Sequence, residues 1–215
     1  MPVLKSMYLS AFNNTDAYFY GFANGDILFD NGLKNTLTKI KEVRNVIGSS
    51  LLFGIRRNYN MVAAVKNGSL PVLWKVDDVN QLGNNKYSTL FIEASADYFI
   101  VTGDFPFNLF KPVVTSRLAF DTYFSAFAQK RNVTTIDGTH AITALHQTDN
   151  KGNFESQHRP IKKEDFNYNV GMIGHSFDHS KGYAKNAIYQ AQLNEMTGNV
   201  ILRCKNNCKQ KIKVL

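Results

Sequence analysis

Residue types that hold ions, grip phosphates or move protons recur just behind the apolar runs of this chain. Asp26 follows Ala17-Tyr18-Phe19-Tyr20-Gly21-Phe22-Ala23 and closes the polar turn Asn24-Gly25-Asp26. Arg56-Arg57 follows Ser50-Leu51-Leu52-Phe53-Gly54-Ile55. Asp137 comes after the run from Val133 to Ile136, and His146 after the run from Ile142 to Leu145. In an open α/β sheet the ligand lies beyond the carboxyl ends of the strands, so these positions agree with one shared site. Each residue also has a structural reading. Asp26 can end a turn, Arg56-Arg57 can be a solvated strand end, Asp137-Gly138 can be turn chemistry, and His146 can be a satisfied core histidine.

The elements that would carry these residues can be read from the apolar spacing. The aromatic-rich run 17–23 is short and strand-like, continues through Ile27-Leu28-Phe29, and meets Asp30-Asn31-Gly32. Leu33, Leu37 and Ile40 then recur at helical spacing with lysines on the other faces. Residues 50–55 give a second strand and Asp97 to Val101 a third. From Lys66 to Lys86 the text is polar and broken by Gly68, Pro71 and Gly83, and reads mostly as loop, with Val72-Leu73-Trp74 as a short element inside it. Gly103 to Pro112 is a proline-punctuated connection. Ser116 can cap a helix bearing Phe120, Phe124, Phe127 and Ala128, with Asp121 near the positive end of its dipole. Asp121 can simply stabilise that helix start. Short strands over 133–136 and 142–145 complete the pattern, and strands alternating with helices argue for α/β layers.

Bulk properties exclude several classes. The chain has 215 residues, 44% hydrophobic and 20% charged, with 16 Phe and 10 Tyr, which suits one globular domain with an ample core. No apolar run approaches the roughly 18–20 residues of a membrane span, and no signal peptide is evident. The formal charge is +8, but Arg203, Lys205, Lys209, Lys211 and Lys213 fall in the basic tail and leave +3 over the rest. That distribution points to a solvated terminus rather than a nucleic-acid reader. Cys204 and Cys208 allow a local disulfide and lack the partners of a zinc site. His175 and His179 share a helical spacing, without a third fixed ligand nearby. Asn13-Asn14-Thr15, Asn67-Gly68-Ser69 and Asn132-Val133-Thr134 are sequons that matter only in a secretory compartment, so the ER/Golgi lumen and the cytoplasm both stay open.

The segment Tyr20-Gly21-Phe22-Ala23-Asn24-Gly25-Asp26-Ile27-Leu28-Phe29 resembles the strand and acidic loop of GT-A type nucleotide-diphospho-sugar transferases. More narrowly, the chain is similar to a glycosyltransferase-like family. There a Tyr-x-Asn-x-Asp-Ile-Leu segment precedes a Gly-Arg-Arg strand end, an Arg-x-x-(aromatic)-Asp helix start and an Asp-x-Thr…His-Gln ending. The matching pieces here are Ile55-Arg56-Arg57, Arg117-Leu118-Ala119-Phe120-Asp121 and Asp137-Gly138-Thr139…His146-Gln147, in the same order over about residues 2–150. Ser116 and Ile55 stand where that pattern carries glycine.

The resemblance implies metal-assisted transfer of a sugar from a nucleotide-sugar donor to a glycan or other hydroxyl acceptor. It places Mn2+ or Mg2+ at Asp26 and His146. Asn24 replaces the first of two customary aspartates, which leaves Asp26 as the main anionic ligand. Arg56, Arg57 and Arg117, with Asn24, would face the donor, the guanidinium groups pairing with phosphate oxygens. Asp121 becomes the acceptor-side carboxylate, as general base or as a ligand of a sugar hydroxyl, with Asp97 as runner-up. The fold expected is a GT-A-like mixed sheet flanked by helices. It would form one α/β domain over residues 1–200 (core 1–150, polar extension 151–200), followed by the basic tail 201–215. The strand-helix half that holds the nucleotide base has no counterpart ahead of Pro2, so the expected domain is N-terminally truncated. The alternative is a non-catalytic carbohydrate- or nucleotide-binding module derived from the same fold.

Overall fold

The computed structural model describes residues 2–68, 76–148, 167–194, 196–205 and 208. Val72-Leu73-Trp74, the polar segment 151–166 with His158, and Lys209, Lys211 and Lys213 lie outside the described residues. The chain is α/β, with two mixed sheets and flanking helices.

The first helix, α1 (Leu4–Asn14), leads into β1 (Phe19–Ala23) and β2 (Ile27–Phe29), which are separated by the Asn24-Gly25-Asp26 turn. Next come α2 (Asn31–Glu42), α3 (Arg44–Ile47), β3 (Ser50–Phe53), β4 (Arg57–Asn60), α4 (Met61–Lys66), α5 (Val76–Gly83), β5 (Ser88–Leu90) and β6 (Tyr98–Thr102). A 3-10 turn, Phe107–Leu109, precedes α6 (Phe120–Lys130), β7 (Thr134–His140) and β8 (Ala144–Thr148). The remainder holds α7 (Tyr168–Ile173), two 3-10 turns (His179–Gly182 and Ala184–Asn186), β9 (Tyr189–Leu193) and β10 (Val200–Cys204). Strand β10 therefore carries the sheet past residue 200, where the charge pattern sets the start of the tail.

The larger sheet has the order β1-β6-β3-β7-β9-β10, and the smaller one β2-β8-β4-β5. Parallel pairs occur at β3–β7, β7–β9 and β4–β8, and the other pairs are antiparallel. The two sheets are interleaved along the chain. The connections β1→β2, β3→β4 and β7→β8 leave the larger sheet for the smaller, and β2→β3, β5→β6 and β8→β9 return. Because β3 runs parallel to β7 while β4 runs parallel to β8, two of these crossovers travel side by side. Gly54 sits on one of them, where a Cβ would meet the Tyr98 hydroxyl at 2.2 Å and the Thr139 amide at 3.0 Å. Only glycine fits so close an approach.

Local sequence explains most of the elements. Asp30 caps α2 by accepting from the Gly32 amide at 3.0 Å, and the same oxygen accepts from the Thr143 amide at 3.0 Å, which ties the helix to the smaller sheet. Leu33, Leu37 and Ile40 pack with Leu52, Ile136 and Ala191 on one face of the larger sheet. The opposite face is covered by α1 and α6 through an aromatic cluster. Phe124 is fully buried at its centre, with ring centroids 4.8 Å from Phe99, 5.0 Å from Phe110, 5.3 Å from Phe105 and 5.6 Å from Phe107.

Three local expectations need correction. The stretch 66–86 contains the helix α5, whose Val79 and Leu82 pack with Tyr59 and Leu145. Ser116 does not cap α6: the helix starts at Phe120, and the residue before it, Ala119, is left-handed with φ 73°. The strand over 133–136 does not end at Asp137 but runs on to His140, with a register shift, and His146 lies inside β8 rather than after it. In both strands pairing with neighbours on either side extends the ladder through polar residues, because the backbone bonds do not depend on side-chain polarity. The aromatic cluster makes a quantitative expectation. Phe124→Ala should lower unfolding free energy by about 3–5 kcal/mol in urea titration, and a loss below about 1 kcal/mol would refute this packing.

Candidate functional site

The crossovers between the two sheets and the strands beside them gather polar residues from four separate segments. At the end of β1, Asn24 continues the pairing with β6, its amide donating to the Asp97 carbonyl at 3.0 Å. Its side chain donates to Asp97 Oδ1 at 2.7 Å. Arg56, on the β3→β4 crossover, donates from Nη1 to the same oxygen at 2.7 Å. Its Nε donates to Asn58 Oδ1 at 3.0 Å, and the ring of Phe91 lies 4.3 Å from its guanidinium carbon. On the other side of Asn58 Oδ1 stands His146 Nδ1, at 3.2 Å, and His146 Nε2 faces Asp26 Oδ2 at 3.0 Å. The result is one continuous chain of hydrogen bonds: Asn24, Asp97, Arg56, Asn58, His146, Asp26. It begins and ends on the same turn.

Strand registry puts these groups together. His146 on β8 is opposite Ile27 of β2 on one side and Asn58 of β4 on the other. Arg56, Asn58, Asp97 and His146 are all buried, whereas the side chain of Asp26 is 61% exposed and forms the open end of the chain. Removing either partner of the Arg56–Asp97 pair would strand a buried charge, at a cost of about 3–5 kcal/mol.

The electrostatics follow from burial. Loss of solvent pushes the Asp97 carboxyl above the ordinary carboxylate range; Arg56 and His146 pull it back and Asp26 adds to the push. Asp97 Oδ1 receives two donors, while Oδ2 is buried without a hydrogen-bond partner among the described residues. Asp121, on the first turn of α6, is pushed up to about 6, mainly by burial and further by the nearby Asp97 charge. The amides of Thr122 (2.8 Å) and Ala96 act against that shift by donating to the carboxylate. Asp121 therefore stands beside Asp97 through Ala96.

The orientation of the His146 ring is set by its surroundings. Asn58 Oδ1 can only accept, so Nδ1–H donates to it, and the Asp26 carboxylate, also an acceptor, faces Nε2. A carbonyl oxygen that accepts from Nδ1–H is the usual support for an imidazole that binds a cation or carries a proton through Nε2.

Of the residues singled out from sequence, Asn24, Asp26, Arg56, Asp97, Asp121 and His146 are thus brought into one region. Arg57 is not: on the alternate face of its strand, it donates from Nε to the Gly83 carbonyl at 2.8 Å. Arg117 bonds to its neighbour's carbonyl, Ser116 O, at 3.0 Å. The Asp137 carboxylate accepts from the Thr139 amide at 3.0 Å and from Lys205 at 3.2 Å, on the β10 side of the larger sheet. His179 contacts Thr122 Oγ1 at 3.1 Å, and among the described residues no three His, Cys, Asp or Glu form a metal-sized group. Cys204 and Cys208 form a disulfide. Asn58 was missed in the sequence. Its signal was the two-residue alternation of extended chain, which puts it on the same side as Arg56.

Fold and site together define an α/β protein with a buried polar seam between two mixed sheets, opening at an acidic turn. Compared with known proteins, the chain matches no protein-family profile, no curated protein sequence and no solved structure.

The Asp121 environment has a pH consequence. Its folded pKa near 6 exceeds the ordinary value of about 4, so the folded state holds the proton more tightly than the unfolded chain. The contribution is fully present below about pH 4 and is lost as pH rises through about 6. Urea midpoints measured across this window should show a declining component that Asp121→Asn removes. An unchanged slope in that variant would disprove the assignment.

Proposed function

We propose that this protein is a metal-assisted glycosyltransferase of the GT-A type, which transfers a sugar from a nucleotide-sugar donor to a hydroxyl acceptor. The observation that carries the reading is the hydrogen-bonded chain ending in Asp26 and His146, with Asp97 and Asp121 beside it.

The donor set fits a divalent cation. Asp26 offers an exposed carboxylate and His146 an oriented Nε2, which are two protein donors on one opening. Mg2+-type ions are commonly held by one or two carboxylates with substrate phosphates completing the shell, so a larger protein cage is not required. When bound, the cation would neutralise charge that develops on the leaving diphosphate.

The remaining groups divide the work. Arg56 is committed inside the protein, where it holds the Asp97 carboxylate in place. The unpartnered Asp97 Oδ2 is suited to accept from a sugar or acceptor hydroxyl. Asp121, with its proton affinity raised toward neutrality, is suited to take the proton of the attacking hydroxyl as the new bond to the sugar forms.

One feature favours the second reading, a non-catalytic carbohydrate- or nucleotide-binding module. Arg56 and Arg57 both spend hydrogen bonds within the fold, which reduces what they offer to a diphosphate. Calorimetric titration of UDP with and without Mn2+ separates the two. Binding that requires Mn2+ and is lost in Asp26→Ala is the expected result for the transferase. Glycan binding indifferent to the cation supports the module, and absence of UDP binding in either protein refutes the donor site.

A further inference from the structure

The part of the chain described from Asn167 to Ala187 converges on one feature, the start of α6. Asn169 is fully buried and its amide pairs with the backbone of Val114. Oδ1 accepts from the Val114 amide at 2.8 Å, and Nδ2 donates to the Val114 carbonyl at 2.9 Å and to Arg117 O at 3.5 Å. The end of α7 is held in turn by Lys111, whose Nζ donates to the carbonyls of Met172 at 2.9 Å and Ile173 at 3.2 Å. Further on, the Phe177 ring meets Tyr123 edge-on at 5.6 Å, and His179 Nδ1 lies 3.1 Å from Thr122 Oγ1. Gly182 then closes on Thr122 so tightly that a Cβ would lie 1.9 Å from the Thr122 carbonyl oxygen.

The opposite side of the same stretch is held by the first residues of the chain. Leu4 donates its amide to Val113 O at 2.9 Å, and Thr115 donates to Pro2 O at 3.1 Å. Between these supports, Ser116 and Ala119 both adopt positive φ, at 58° and 73°. Left-handed backbone costs a non-glycine residue about 1–2 kcal/mol and persists only where the surroundings over-determine it. The strain ends two residues before Asp121.

We infer that residues 167–187 form a clamp that fixes the first turn of α6 and so positions the Asp121 carboxyl, with Asn169 as the principal positioning residue. The stretch 167–187 thereby becomes part of the site's architecture rather than an appendage to it. Asn169 acts without touching substrate: by pairing with Val114 it sets the path of the chain into the left-handed pair. Gly182 and His179 press on Thr122, the residue whose amide donates to Asp121 Oδ1. The inference rests on the role given to Asp121 in the proposed function.

The test uses the full chain without metal or nucleotide, so its outcome is independent of whether UDP binds. The Thr122 backbone amide reports on the carboxyl it bonds to, and its NMR shift is followed against pH in the parent, Asn169→Ala and Gly182→Ala. A distant core variant, Leu202→Ala, serves as a control for general destabilisation. In the two clamp variants the turn opens to water, and the Asp121 midpoint is expected to fall from about 6 by about one pH unit. In Leu202→Ala it should stay in place. Should Asn169→Ala fail to fold, Asn169→Ser retains a hydroxyl for Val114 and should show a smaller shift in the same direction. Clamp variants that lose thermal stability like the control while the midpoint stays near 6 would overturn the inference.

Discussion

The buried pair of Arg56 and Asp97 is the interaction on which the rest of this structure depends. Each residue sits on a connection that passes between the two sheets, and the pair joins those connections at 2.7 Å. Asn24 adds a third connection through the same carboxylate oxygen. A buried ion pair of this kind adds little net stability over a well-packed apolar substitute, but an isolated member is costly. Its value is therefore in geometry. It defines how the two sheets meet, and with Asn58 it carries that definition to His146.

Two layers of packing make the seam possible. On one face of the larger sheet the aromatic cluster around Phe124 fixes α6 against Phe99, next to the strand that follows Asp97. On the other, α2 is tied by Asp30 to Thr143 and packs through its leucines against the sheet. The smaller sheet has its own small core of Tyr59, Ala64, Val79 and Leu145. With both sheets supported independently, the polar groups between them are satisfied largely by one another. The exception is Asp97 Oδ2, buried without a hydrogen-bond partner among the described residues, while Asp26 leaves the end of the chain open to solvent.

The sequence displayed some of this and concealed the rest for physical reasons. The aromatic run before Asn24, the leucine spacing of α2 and the apolar run of β3 were legible because burial on one face imposes a period. The helix α5 was concealed, since Val79 and Leu82 are few among polar neighbours in an eight-residue element. The start of α6 misled: Ser116 has the chemistry of a cap, but the left-handed turn at Ala119 delays the helix by tertiary support no local pattern reveals. At the site, residue type and position after apolar runs drew attention to Asp26, Arg56 and His146. The importance of Asn58, and the diversion of Arg57 to Gly83, depended on which face of a strand each occupies. That required the register with β8.

The paired crossovers also govern how the protein must come together. Ser50 is paired with Thr134 in one sheet, and Arg57 with Leu145 in the other, so these two parallel ladders each close a loop of more than 80 residues. Contacts so distant along the chain repay their loop-closure entropy late, and topologies rich in them fold slowly. The groups from Asn24 to Asp97 precede β7 and β8 in the chain, and His146 arrives only with β8. The hydrogen-bonded chain from Asn24 to Asp26 is thus complete only once β8 has joined the smaller sheet.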